Sequence, residues 1–396
     1  MFVADMESLL DELYKREDAK IAIVGAGVKG QELVMEMGAC NFRGVKRFLD
    51  NNVSLHGKHV KGIKVDKVQN LGDGWIYIIS VAESKIRKIL ESQLLEDGAK
   101  EEQIIKIIYK KDYEYYKDVY LRGRCKEELS EAYRKEFSKE LDWENPTRYT
   151  EILNVEKLSG LDPLKAKLAD KIEVRKWVEE KIGKKYLVEH YYEWDSVEDI
   201  DFEKLPKKFV LKLNNGSGRN IIVKNKEELK TEAVKKMLGD WLLQNYAFCY
   251  GNYEFQYKDI TPKIICEEYL EGVAETVYDY NIYCFHGKPE YIWCIKGSHR
   301  PECQASFYDK EWNMQPFSFG YPKDPVVAPK PEKLEEMLEL STILCKGFKH
   351  VRVDWYNLPD GRVLFGEMTF TSWSGLRRFE PDEYDTYFGK LILGNG

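Results

Sequence analysis

Apolar positions along this chain follow one pattern up to about residue 110, a second to about 168, and a third beyond it. The opening stretch, MFVADMESLLDELYKRED, spaces its apolar residues as an amphipathic acidic helix does. Residues 20–27, KIAIVGAG, form a short apolar run ending in glycine, and KGQELVMEMG after it has helical spacing. Further apolar runs at 44–50, 75–81 and 103–109 predict strands, and ESKIRKILESQLLEDG predicts an amphipathic helix closed by Gly98. This alternation predicts a small parallel sheet, an α/β Rossmann-like domain over residues 1–110.

Residues 111–168 are rich in Tyr, Lys and Glu, with helical periodicity broken at Asn145-Pro146, and read as a helical linker. A helix, DKIEVRKWVEEKIG, then ends at Gly183, placing Lys171 and Arg175 on one helical face. KFVLKL leads through NNGSGRN into IIVKN, which predicts a β-hairpin with a glycine-rich tip. A helix near 227–244 precedes the strands IICEEYL, YDYNIYCFHG, PEYIWCIKG and ASFYD. The helix EKLEEMLELSTILCKGF is followed by VRVDWYNL, the turn PDG, and RVLFGEMTF. This third region is α+β, built on antiparallel sheet.

Composition narrows the function classes. The 396 residues are 43% apolar and 33% charged, enough apolar content for cores and enough length for two or three domains. The net charge of −7, with both signs interspersed, argues against a nucleic-acid partner. No apolar run of about 18 residues exists, which argues against membrane insertion. The eight cysteines include no C-x-x-C pair, so they read as reduced thiols of a cytoplasmic protein.

Four constellations carry chemistry. Gly25-x-Gly27-x-x-Gly30 follows a strand and opens a helix, and Asp50 ends the next strand, where an acidic side chain can reach a ribose. The same glycines also serve a ligand-free βα turn. Lys212 sits in the apolar strand Phe209–Leu213, where its charge asks for an anion, and Gly216-Ser217-Gly218 follows as a flexible tip. Asp354 and Glu367 lie on strands joined by Pro359-Asp360-Gly361 and so meet across the ladder, where a cation would relieve their repulsion. Arg352 shares the strand face of Asp354 and suits a phosphate oxygen.

These pieces in this order resemble the ATP-grasp superfamily, and more closely its TupA-like (teichuronopeptide biosynthesis) branch. The resemblance runs from about Asn145 to the C-terminus. It is carried by LADKIEVRKWVEEKIG, DFEKLPKKFVLKLNNGSGRNIIVK, IICEEYLEG, FYDKEWNMQPF and VRVDWYN with FGEMTF. It implies an ATP-grasp fold of two lobes with mainly antiparallel sheets: residues 169–272 a small lobe with a glycine-rich lid, and 273–396 a metal and catalytic lobe. It implies ATP and Mg²⁺ as cofactors, Lys171 and Lys212 on the phosphates, Gly216, Ser217 and Gly218 as the lid, and Glu267, Glu268, Tyr269 and Leu270 as the adenine-facing hinge. Asp354, Glu367 and Thr369 would hold Mg²⁺, Thr369 standing where many such ligases carry Asn, and Arg352 would steady the transferred phosphoryl group. Separately, LDNN and LHGKHVKGIKV resemble the small N-terminal domain of sugar acyltransferases.

The branch implies an ATP-dependent carboxylate–amine ligase working through an acyl phosphate. Its carboxylate would belong to a uronic acid or nucleotide sugar of cell-surface polysaccharide, and its acceptor would be a small amine or amino acid. The acceptor pocket is expected near 296–304 and 369–378, with Arg300, Arg377 and Arg378 able to bind a substrate carboxylate or phosphate. The alternatives are an ATP-grasp kinase, a non-catalytic nucleotide-binding protein, and an NAD-dependent oxidoreductase built on the N-terminal glycines.

Overall fold

A computed structural model of the chain describes residues 2–394 apart from 4–8, 11, 14, 15, 17, 40, 41, 43, 82, 108–112, 160, 161, 271–277 and 298–302. Its contacts divide it into two compact units, Met1–Arg122 and Gly123–Gly396. The division falls inside the stretch read as a helical linker.

The first unit is one sheet of the strands β1 (Phe2–Val3), β2 (Lys20–Val24), β3 (Val45–Leu49), β4 (His59–Val60), β5 (Ile63–Asp66), β6 (Trp75–Ile79) and β7 (Ile104–Ile107). Their spatial order is β1-β7-β6-β2-β3-β5-β4, and every pair except β4/β5 is parallel. Helices α1 (Val28–Ala39) and α2 (Ser84–Glu96) belong to this sheet, and α3 (Tyr113–Leu121) follows it. Ile21 and Ile23 pack into one core, while Ala22 and Val24 pack into a second. Both faces of β2 are therefore covered, which is why its sequence is continuously apolar rather than alternating. One expectation needs correcting. Phe2 and Val3 are a strand paired with Lys106 and Ile107, not the first turn of a helix. An open edge on β7 offers backbone partners that a helical start leaves unused.

The second unit opens with α4 (Cys125–Phe137), α5 (Tyr149–Leu158), α6 (Pro163–Ala169) and α7 (Glu173–Ile182). Strands β8 (His190–Trp194), β9 (Phe209–Leu213) and β10 (Asn220–Val223) follow, then α8 (Thr231–Leu242) and β11 (Ile264–Glu268). These strands make an antiparallel sheet in the order β10-β9-β11-β8. Next come β12 (Tyr278–Phe285), β13 (Lys288–Lys296), β14 (Gln304–Tyr308), β15 (Ser318–Phe319), α9 (Leu334–Leu344), β16 (His350–Asn357), β17 (Val363–Thr369), β18 (Phe379–Glu380) and α10 (Glu383–Leu393). A second antiparallel sheet has the order β14-β13-β12-β16-β17, and β15 pairs with β18. Phe209, Leu211 and Leu213 face the core of the first of these sheets, and Val351, Val353 and Trp355 that of the second. The residues between them, Lys212 on β9 and Arg352 and Asp354 on β16, are turned to the opposite faces.

Candidate active site

Those opposite faces line a cleft of about 680 Å³ within the second unit. Lys171, Lys212, Ser217, Gly218, Arg352, Asp354, Glu367, Thr369 and Arg377 all border it.

The hairpin of β16 and β17 builds the acidic part of the site through a bulge. Val353 pairs with Met368 and Trp355 with Phe365, so Gly366 and Glu367 together oppose Asp354. Val363 and Phe365 before the bulge, and Met368 and Phe370 after it, all stay in the core. Strict alternation would have sent Glu367 into that core; the extra residue returns it to the face of Asp354. Gly366 permits the close approach, because a Cβ there would lie 3.1 Å from the carbonyl oxygen of Asp354.

Arg352 ties this face together. Its Nε and Nη2 donate to Oδ1 and Oδ2 of Asp354 at 2.7 and 2.6 Å, a bidentate pair. Nη2 also reaches Glu367 Oε1 at 3.3 Å and Thr369 Oγ1 at 3.0 Å, and Thr369 donates to Glu367 at 2.9 Å. Burial pushes the Asp354 carboxyl up to about 7, even against the guanidinium beside it. Burial acts on Glu367 the same way, but Lys171 and then Arg352 outweigh it and hold that carboxyl below its ordinary value. Two carboxylates and a hydroxyl on one face are hard oxygen donors, the kind Mg²⁺ takes alongside phosphate oxygens. Asn281 pairs with Asp354 across β12 and borders the same space.

The basic side comes from β9 and from the turn before α7. Lys171 precedes that helix rather than lying in it, so Lys171 and Arg175 do not share a helical face. Asp170 Oδ1 accepts from the N–H groups of Ile172 and Glu173 at 2.8 and 3.4 Å, which starts the helix after Lys171. Lys171 Nζ donates to the carbonyl of Gly216, and its backbone N–H to that of Asn214. Burial lowers its pKa, and the charge of Glu367 works against that fall. Lys212 forms an ion pair with Glu267, to which Arg175 also reaches at 3.4 Å. Gly216 and Gly218 have φ of +80° and +73°, and a Cβ on Gly216 would lie 2.2 Å from the ring of Tyr246.

The remaining predicted residues are placed as follows. Glu268 is held by Arg362, with both oxygens at 3.1 Å from its guanidinium. Tyr269 lies 6.0 Å from Lys224 Nζ, and Leu270 packs with Val188, Leu358 and Leu364. Glu267, Glu268, Tyr269 and Leu270 do not border the cleft. Arg377 does, with its guanidinium 5.3 Å from the Trp373 ring, whereas Arg378 reaches toward Glu136 at 3.9 Å. Arg300 lies outside the described residues. In the first unit, a Cβ on Gly30 would lie 1.9 Å from the carbonyl of Gly25, Gly27 faces open space, and Asp50 accepts from Ala26 N at 2.7 Å. Thr371, Trp373, Asn281 and Glu254 all border the cleft; the first two fall in the 369–378 stretch expected to line it, but sequence reasoning missed Asn281 and Glu254. No local pattern marks them.

Comparison with known families gives a match to the family described as TupA-like ATPgrasp over residues 151–393, well over half of the chain. Curated proteins give no match. Among solved structures, the chain is similar to an L-amino acid ligase from Bacillus licheniformis, with 13% identity, 95% of this chain and 74% of that chain covered, and a TM-score of 0.37. It is similar to the ATP-grasp ligase PsnB complexed with a minimal precursor, with 10% identity, 96% and 100% coverage, and a TM-score of 0.35. It is also similar to an N5-carboxyaminoimidazole synthase from Aspergillus clavatus in complex with ADP and a ribonucleotide, with 13% identity, 89% and 70% coverage, and a TM-score of 0.31. Among the described residues, no helix is long and apolar enough to cross a membrane.

Proposed function

The chain belongs to the TupA-like ATP-grasp family, and from that premise we propose that its second unit is an ATP-dependent carboxylate–amine ligase with ATP and Mg²⁺ as cofactors. The observation that carries this reading is the meeting of Asp354 and Glu367 on one face of a bulged hairpin, in the cleft that Lys171 and Lys212 also border. Asp354, Glu367 and Thr369 would hold Mg²⁺, which supplies positive charge against the transferring phosphoryl group.

Lys171 and Lys212 hold phosphate oxygens, and the tip at Gly216, Ser217 and Gly218 lies over them and keeps water from the site. An oxygen of the substrate carboxylate bonds to the γ-phosphorus as the bond from phosphorus to the bridging oxygen breaks, and ADP leaves. The amine nitrogen then bonds to the acyl carbon, the carbon–oxygen bond to phosphate breaks, and the nitrogen gives up a proton. Arg352 stabilises the charge that collects on the oxygens in both steps. The substrate we infer is a uronic acid or its nucleotide-sugar form, used in cell-surface polysaccharide, with Arg377 on its anionic group.

A ³¹P NMR time course tests the reading, with enzyme, Mg-ATP, a panel of uronic acids and nucleotide sugars, and a panel of amines. ADP and inorganic phosphate that appear only when both partners are present support the ligase. ADP with a persistent new phosphorus signal would instead identify a kinase.

A further inference from the structure

The cleft has a second charged feature that the reaction above does not use. Glu254 borders it beside Asn252, Thr371 and Ser374, yet the residue is only 8% exposed. Its carboxylate accepts a hydrogen bond from the Thr371 hydroxyl. Thr371 is oriented for this because its oxygen accepts from Gln256 Nε2 at 2.7 Å, which leaves its proton for Glu254. Among the described residues, no cation lies within ion-pair distance of Glu254. The buried Lys157 is nearby, but its ammonium is committed to the carbonyl and hydroxyl of Ser374 at 2.7 and 3.0 Å. A buried carboxylate with one hydroxyl bond and no cation in direct contact is costly, even with the charge of Lys157 acting on it.

The wall beside it is built at a cost as well. Trp373, Ser374 and Gly375 have φ of 50°, 55° and 65° in succession. Non-glycine residues adopt that region only when their surroundings fix them. Here Lys157 holds Ser374, and Asn154 Nδ2 holds the carbonyl of Gly375 at 2.8 Å. The result is a rigid surface that seats Glu254 through Thr371 and turns Trp373 to the cleft.

We propose that Glu254 is the anchor for the amine substrate, taking its ammonium group on the wall formed by Thr371, Trp373 and Ser374. This rests on the ligase reading and adds the recognition of the second substrate to it. A divalent cation fits less well, because a hard metal ion asks for several oxygen ligands and Glu254 offers one carboxylate. An ammonium needs one carboxylate and a few acceptors, which this corner has. Held there, the amine shares one cleft with the carboxylates and lysines of the phosphoryl site.

Saturation-transfer NMR on the full chain with Mg-ADP tests this, using glycine against glycolate and ethylamine against ethanol. In at least one pair the ammonium member should give about tenfold stronger transfer than its hydroxyl counterpart, and Glu254→Gln should remove that preference. Glutamine keeps the oxygen that accepts from Thr371, so Mg-ADP affinity should stay at the wild-type value and report an intact fold. Equal transfer within both pairs, or a preference that survives in Glu254→Gln, overturns the proposal. Failure of the wild-type protein to bind Mg-ADP would instead overturn the ligase reading beneath it.

Discussion

Arg352 and Asp354, two residues apart on β16, form a bidentate pair in which the Nη2 that holds Asp354 also reaches Glu367 and Thr369. The guanidinium thus offsets part of the repulsion between the two carboxylates that would hold the metal ion. Arg352→Ala should leave them facing each other without it and destabilise the protein by about 3 kcal/mol. Mg²⁺ binds the folded state only, so millimolar MgCl₂ should recover much of that loss in the variant and change the wild type far less. Thermal unfolding with and without MgCl₂ is the measurement. No recovery of the variant by Mg²⁺ would exclude Asp354 and Glu367 as its ligands.

Glu367→Ala should keep the wild-type far-ultraviolet circular dichroism and lower ATP turnover by about a hundredfold or more, since a lost metal ligand removes charge stabilisation from the phosphoryl transfer. Unchanged turnover in a folded variant would sink the metal assignment.

The ion pair of Lys212 and Glu267 gives a prediction in pH. Burial pushes the Glu267 carboxyl up, but Lys212 outweighs it and holds the folded value below the ordinary 4.5. The carboxyl therefore adds stability that is fully present above about 4.5 and is lost as the pH falls through the lower folded value. In Lys212→Met the burial wins, the folded value rises above 4.5, and stability is lost as the pH climbs from about 4.5 through that raised value. Urea midpoints of the two proteins should accordingly lie close at pH 4 and separate by pH 7.5. A gap that stays constant across that range would mean Glu267 does not depend on Lys212.

Lys212 was legible because a lysine in an alternating apolar strand must turn away from the core, and period two says which way. Asp354 and Glu367 were legible as a pair, since a short turn joins their strands. The bulge at Gly366 and Glu367 was not, because register depends on how the apolar face packs. Arg175 and Lys171 look alike at four-residue spacing, yet the helix begins only at Glu173, which puts one inside it and one outside. Strand β8 escaped notice because its residues, HYYEW, are half-buried or exposed and alternate weakly. Glu254 and Thr371 lie 117 residues apart, and only the tertiary fold makes them neighbours.

The two glycines of the tip separate two kinds of constraint. Both have positive φ, so alanine strains the backbone at either position by about 1 kcal/mol. At Gly218 a Cβ meets nothing within 4 Å, whereas at Gly216 it would strike the Tyr246 ring. Gly216→Ala should therefore displace the tip and weaken Mg-ATP binding by about tenfold or more, with Gly218→Ala close to wild type. Gly216→Ala combined with Tyr246→Ala should recover part of the loss, because the obstacle is then gone. Titration calorimetry with a non-hydrolysable ATP analogue measures all three, and a double variant no better than Gly216→Ala would place the cost in the backbone rather than in the contact.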